Sequence, residues 1–204
     1  TIGSSAFYNN LSLIDVILPE GLENIGSNAF YGCLNLKSIN IPSTVKRIGH
    51  NAFYNCSEAK FTDFAFTSNL TSIGNNAFYN CNKLKFGDLK FSSKLTSIGS
   101  FAFYNCDGIT NATIPGSVKT IGDNVFDDCS SLKTLVVKDG VGTIGNYILN
   151  KCIAVESVTF PFVGNTLENT NKSDSNYQLA ARLFNSSVEG KTYYTGNYYV
   201  PYSL

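Results

Sequence analysis

Two hydrophobic patterns alternate along this chain, and together they repeat seven times. The first is an apolar-x-x-apolar-x-apolar run: Leu13, Val16, Leu18; Leu36, Ile39, Ile41; Phe61, Phe64, Phe66; Phe86, Leu89, Phe91; Ile109, Ala112, Ile114; Leu132, Leu135, Val137; and Val155, Val158, Phe160. Its last two members alternate with polar residues, the period-two signature of a short half-buried strand. Proline follows at Pro19, Pro42, Pro115 and Pro161, where a residue that cannot donate to a ladder closes the strand. The second pattern is Ile-Gly-x-x-Ala-Phe-Tyr-x-Cys. Its isoleucine falls at Ile2, Ile25, Ile48, Ile73, Ile98, Ile121 and Ile144, in steps of 23, 23, 25, 25, 23 and 23 residues. Self-similarity at such a period marks a solenoid in which each copy is one coil stacked on the last. One strand per coil, all running the same way, makes a parallel sheet along one side.

Within a coil, each position has an expected task. The glycine after the isoleucine is present in every copy, which implies a backbone torsion or a close approach that a Cβ would disturb. Ala29, Ala52, Ala77 and Ala102 precede Phe30, Phe53, Phe78 and Phe103: a small residue lets the wall approach and a large ring fills the interior. The two longer copies place their extra residues between Cys56 and Phe61 and between Cys81 and Phe86, where a turn absorbs them. From Phe162 the period stops. Residues 162–199 read as an irregular insertion, with a polar loop and then a short helix built on Tyr177, Ala180, Ala181 and Phe184. Residues 200–204, Val-Pro-Tyr-Ser-Leu, match the entry to a coil at Ile41-Pro42 and Ile114-Pro115, and read as the start of a further, truncated repeat. The opening Thr1-Ile2-Gly3 corresponds to Arg47-Ile48-Gly49, so the chain is expected to be a piece of a longer array.

The spacing in Leu36 to Cys56, LKSINIPSTVKRIGHNAFYNC, resembles the leucine-rich repeats of BspA-like surface proteins, and the resemblance covers residues 1–161 through seven successive copies. It implies a right-handed leucine-rich-repeat solenoid of 23–25 residues per coil. Short parallel strands would line the concave side, with turns or short helical segments on the other. It also implies an extracellular or cell-surface protein of bacteria or parasitic protists, acting in adhesion or recognition.

Composition narrows the chemistry. Lysine plus arginine balances aspartate plus glutamate at 15 each, with no basic tract, so the electrostatic footprint of a nucleic-acid binder is missing. No apolar run approaches the length of a membrane span. Cys33, Cys56, Cys81, Cys106, Cys129 and Cys152 occupy one position of the coil and read as a ladder of buried, reduced thiols. A zinc site is not expected, because no Cys-x-x-Cys pair exists. The only histidine, His50, sits where other copies carry Ser4, Ser27, Asn75, Ser100, Asp123 and Asn146, and reads as a solvent-facing bystander. With no nucleophile elbow, phosphate loop or metalloprotease motif, no catalytic residues and no cofactor are assigned.

The candidate binding surface is the concave strand face. One column there holds Asp15, Ser38, Asp63, Asp88, Asn111, Thr134 and Ser157, and beside it runs another with Asn40, Lys90 and Thr113. A column of tyrosines (Tyr8, Tyr31, Tyr54, Tyr79, Tyr104) follows the buried phenylalanines and reads as rings packed each on the next. Tyr193, Tyr194, Tyr198 and Tyr199 add an aromatic cluster near the end of the chain. The reading that follows is a non-enzymatic protein-binding or adhesion module within a larger surface or secreted protein. The alternatives are a glycan-binding module that uses exposed tyrosines, and a structural spacer for another domain.

Overall fold

The computed structural model describes residues 1–62, 68–83, 87–160, 193–195 and 198–200. Each coil contributes a strand to a first face: β1 (Asp15–Val16), β3 (Ser38–Asn40), β5 (Lys60–Thr62), β7 (Gly87–Lys90), β9 (Ile109–Ile114), β11 (Thr134–Val137) and β13 (Ser157–Phe160). Strands β1, β3 and β5 form one parallel run, and β7, β9, β11 and β13 another. Burial alternates along these strands as the pattern predicts, with Leu135 and Val137 inside and Thr134 and Val136 half-exposed.

Each coil also carries a second, two-residue strand that the hydrophobic pattern does not predict. These are β2 (Asn24–Ile25), β4 (Arg47–Ile48), β6 (Ser72–Ile73), β8 (Ser97–Ile98), β10 (Thr120–Ile121) and β12 (Thr143–Ile144). They stack in strict register into a six-stranded parallel sheet, which Ile2 extends through a bridge to Ile25. The glycine after each isoleucine keeps these coils together. A Cβ on Gly74 would lie 2.6 Å from the Gly49 carbonyl carbon and from the His50 nitrogen.

Turns, with no helix among the described residues, close the third side. There the backbone alternates hand, and two positions per coil take positive φ: Asn28, Asn51, Asn76, Phe101, Asn124 and Tyr147 in one column, and Gly32, Asn55, Asn80, Asn105, Asp128 and Lys151 in the other. The alternation turns N–H groups along the solenoid axis. Asn51, Phe53 and Asn55 donate to the carbonyls of Asn75, Ala77 and Tyr79 on the next coil, each at 2.8 Å. Asparagine tolerates the left-handed conformation best among non-glycine residues, and its carboxamides form ladders of their own, Asn76 to Asn51 to Asn28 and Asn105 to Asn80 to Asn55.

The interior is a stack of like residues. Phe7, Phe30, Phe53, Phe78, Phe103 and Phe126 lie ring over ring, 5.1–5.6 Å apart and within 13° of parallel. From Phe30 onward these rings are fully buried, and each contributes roughly 2–3 kcal/mol by leaving water. All six cysteines are free and buried. Each Sγ–H donates to the phenylalanine carbonyl of the preceding coil at 2.9–3.1 Å, from Cys33 to Phe7 through Cys152 to Phe126. Burial pushes the thiols of Cys56, Cys81, Cys106 and Cys129 well above their ordinary range, which keeps them protonated as that bond requires.

In the third coil the register differs from the pattern. Lys60 and Phe61 stand opposite Ser38 and Ile39, three residues earlier than the alignment that set Asp63 and Phe64 there. Ala59, fully buried, donates its N–H to Cys56 as Leu36 does to Cys33, so Ala59 takes the first apolar place and no extra residue precedes Phe61. At the far end, β13 pairs in parallel with β14 (Tyr193–Thr195), and β14 pairs antiparallel with β15 (Tyr198–Val200). The helix expected at 177–184 lies outside the described residues, as do 201–204.

Candidate functional site

Parallel register brings most of the candidate column together on the long-strand face. Asp15 faces Ser38, Asp88 faces Asn111, Asn111 faces Thr134, Thr134 faces Ser157, and Lys90 faces Thr113. Asp63 lies outside the described residues, and Lys60 is the residue opposite Ser38. The exposed carboxylate of Asp88 accepts a 2.6 Å bond from the Asn111 carboxamide. Asn40 is committed to the scaffold. Its Oδ1 accepts the Leu18 N–H at 2.7 Å and its Nδ2 donates to the Leu18 carbonyl at 3.1 Å, extending the short strand β1 by a side chain. What remains accessible is a strip of hydroxyls and carboxamides with Asp15, Asp88 and Lys90 exposed on it, bordered at one edge by Ile17, which is 89% exposed.

The tyrosine column is a continuous stack. Tyr8, Tyr31, Tyr54, Tyr79 and Tyr104 lie 4.4–4.8 Å apart, within 11° of parallel. The inner rings therefore spend both faces on each other and present only edges and hydroxyls outward. Burial raises the phenols of Tyr54, Tyr79 and Tyr104 above their usual range, and Asp128 and Asp127 add to the effect at Tyr104. Asp127 ends the column as a buried carboxylate that accepts bonds from Asn124 and Asn150. Tyr193 and Tyr194 lie on β14 and Tyr198 and Tyr199 on β15, with Tyr194 opposite Tyr199.

His50 is exposed but not idle. The Asn75 N–H donates to its Nδ1 at 2.9 Å. The same slot repeats the device on the following coils: Asn75 Oδ1 accepts from Ser100 N–H, Ser100 Oγ from Asp123 N–H, and Asp123 Oδ1 from Asn146 N–H. The sequence signal was present but unread, since every residue in that slot carries a hydrogen-bond acceptor although their types differ. Of these side chains, His50, Asn75 and Ser100 line a groove of about 430 Å³ that crosses four coils of the short-strand sheet, together with Arg47, Ser72, Ser97 and Thr120 and with Ile48, Ile73 and Ile98. Among the described residues, no three histidine, cysteine, aspartate or glutamate side chains gather as a metal site, and no helix is long and apolar enough to cross a membrane.

A family model described as BspA type Leucine rich repeat region (6 copies) matches residues 1–85 and 57–178. Among solved structures, the chain is similar to a leucine-rich repeat protein from Bacteroides ovatus, at 33% identity and a TM-score of 0.65. That match covers 74% of this chain and 40% of the other, so this chain spans well under half of that protein. The T. pallidum Leucine Rich Repeat protein is 26% identical with a TM-score of 0.55, over 70% of this chain and 78% of its own. A leucine rich cell surface protein from Faecalibacterium prausnitzii, at 24% identity and a TM-score of 0.54 over 78% and 58% of the two chains, shares the fold. No curated protein matches the chain.

Proposed function

The chain belongs to the BspA-type leucine-rich repeat family, and from that premise we propose that it is a non-enzymatic protein-interaction module of the adhesion type, carried by a larger surface or secreted protein. The long-strand face is the binding surface. The observation that carries this reading is the register of that face, which repeats small polar side chains from coil to coil with Asp88, Lys90, Asn111, Thr113 and Thr134 on three successive strands. Such a surface is flat, partly charged and held by a rigid core, and it offers hydrogen bonds and charges to a complementary protein. Two further facts support a non-catalytic role. The chain's single imidazole has its Nδ1 committed to a backbone N–H, and its thiols are buried and held protonated.

The test is binding to a panel of immobilised extracellular-matrix and serum proteins by interferometry. The native chain is expected to bind at least one of them saturably. Thr113→Trp, which plants a bulky ring on the face, and the charge swap Asp88→Lys with Lys90→Glu are each expected to weaken that binding about tenfold or more. Binding that survives both changes would remove the long-strand face from the reading.

A further inference from the structure

The acceptor ladder has a consequence for the groove beside it. The three slot side chains that line the groove each lend an acceptor to the next coil and keep a donor; the fourth, Asp123, is a carboxylate with no donor and lies outside the lining. With Nδ1 accepting, the neutral His50 imidazole carries its proton on Nε2. Asn75 accepts through Oδ1 and keeps its NH₂ group, and Ser100 accepts through Oγ and keeps its O–H. Across the groove, the hydroxyls of Ser72 and Ser97 join them, and Arg47 stands at one end. Its guanidinium is exposed, and the four ion pairs among the described residues all use lysine. The groove thus offers two parallel rows of donors, repeated at the coil spacing of about 4.8 Å over roughly 15 Å, with a free cation at one end.

This inventory selects the occupant. Strand addition is excluded, because the backbone groups of β4, β6, β8 and β10 already pair from coil to coil. An amphipathic helix or a polyproline segment needs apolar or aromatic anchoring pockets; no phenylalanine, tyrosine or tryptophan lines this groove, and its isoleucines Ile48, Ile73 and Ile98 are sunk in the core at no more than 2% exposure. The fit is an extended chain that is rich in oxygen acceptors, repeats at short intervals and carries negative charge. We propose that the groove of the short-strand sheet is a binding site for an anionic polysaccharide, lying along the solenoid axis with an acidic group at Arg47. The site lies apart from the long-strand face, so its failure would leave the protein-binding reading standing.

The experiment is calorimetric titration of the full chain with tetragalacturonate and with a sulfated dextran fragment, which separates carboxylate from sulfate as the charged group. Saturable binding of either is expected. Arg47→Gln should weaken it roughly tenfold, the scale of one charge-assisted hydrogen bond. Ser97→Tyr should block it, whereas Asp88→Lys with Lys90→Glu should leave it unchanged. Circular dichroism confirms the fold of each variant, and Ser72→Ala gives a milder second probe of the wall should Ser97→Tyr unfold the chain. Binding of neither anionic probe, equal binding of neutral dextran, or affinity untouched by Arg47→Gln and by both wall variants would overturn the proposal. Equal binding of a polyglutamate peptide would also overturn it and make the groove an acidic-peptide site.

Discussion

At Phe101 the repeat contradicts itself. The residue falls in a column otherwise held mostly by asparagine, with φ 56° at Asn28, 52° at Asn51, 53° at Asn76, 55° at Asn124 and 57° at Phe101 itself, and a bulky side chain is poorly suited to that conformation. The substitution also ends the carboxamide ladder, because Asn76 donates back to Asn51 and finds no amide on the following coil. In exchange the ring gains a tilted contact with Tyr104 at 6.1 Å. Relief of backbone strain and one restored hydrogen bond outweigh that half-buried contact. Phe101→Asn is therefore expected to stabilise the chain by about 1 kcal/mol, read as a higher urea midpoint at unchanged slope. A lower midpoint would mean that the aromatic contact outweighs the strain. Neither effect is legible in a hydrophobic pattern, because left-handed residues are selected by backbone hand and not by polarity. The asparagines before Ala and before Cys are the signal that points to them.

For the elements, the informative position is the glycine after isoleucine. A Cβ on Gly74 would press on the backbone of the preceding coil, 2.6 Å from the Gly49 carbonyl carbon. Gly74→Ala is expected to cost about 3 kcal/mol, since backbone cannot yield as a side-chain end does. Thermal melts of the variant and the native chain test this, and an unchanged midpoint would refute the coil-contact account of the glycine. The first-face strands were legible because the sequence around them alternates over four residues, as in Ser38-Ile39-Asn40-Ile41. The two-residue strands that end on isoleucine were not, because no alternation surrounds them. The third coil misled for another reason: Lys60-Phe61-Thr62 and the run through Phe64 both offer a phenylalanine for the place opposite Ile39, and the choice rests on Ala59, whose small side chain carries little weight in the pattern.

Over the whole molecule, the solenoid was legible from its period, and so were the interior phenylalanine and cysteine columns. Most of the candidate strand face also follows from register alone. The groove was not visible, because its walls come from positions with no common residue type, united only by the acceptor each lends to the next coil. The tyrosine column has a consequence of another kind. The chain has no tryptophan, so its near-ultraviolet spectrum belongs chiefly to its 12 tyrosines. Five of these are held nearly parallel at 4.4–4.8 Å, close enough for their electronic transitions to couple as an exciton. Such coupling depends on every intervening ring, so the near-ultraviolet circular dichroism should respond collectively. Tyr79→Ala, which splits the stack, is expected to remove several times one tyrosine's share of that signal while the far-ultraviolet spectrum stays intact. Tyr147→Ala, outside the stack, should remove about its own share. Equal losses would show the rings to be optically independent, whereas the expected inequality makes the column a built-in gauge of coil spacing, readable without a label.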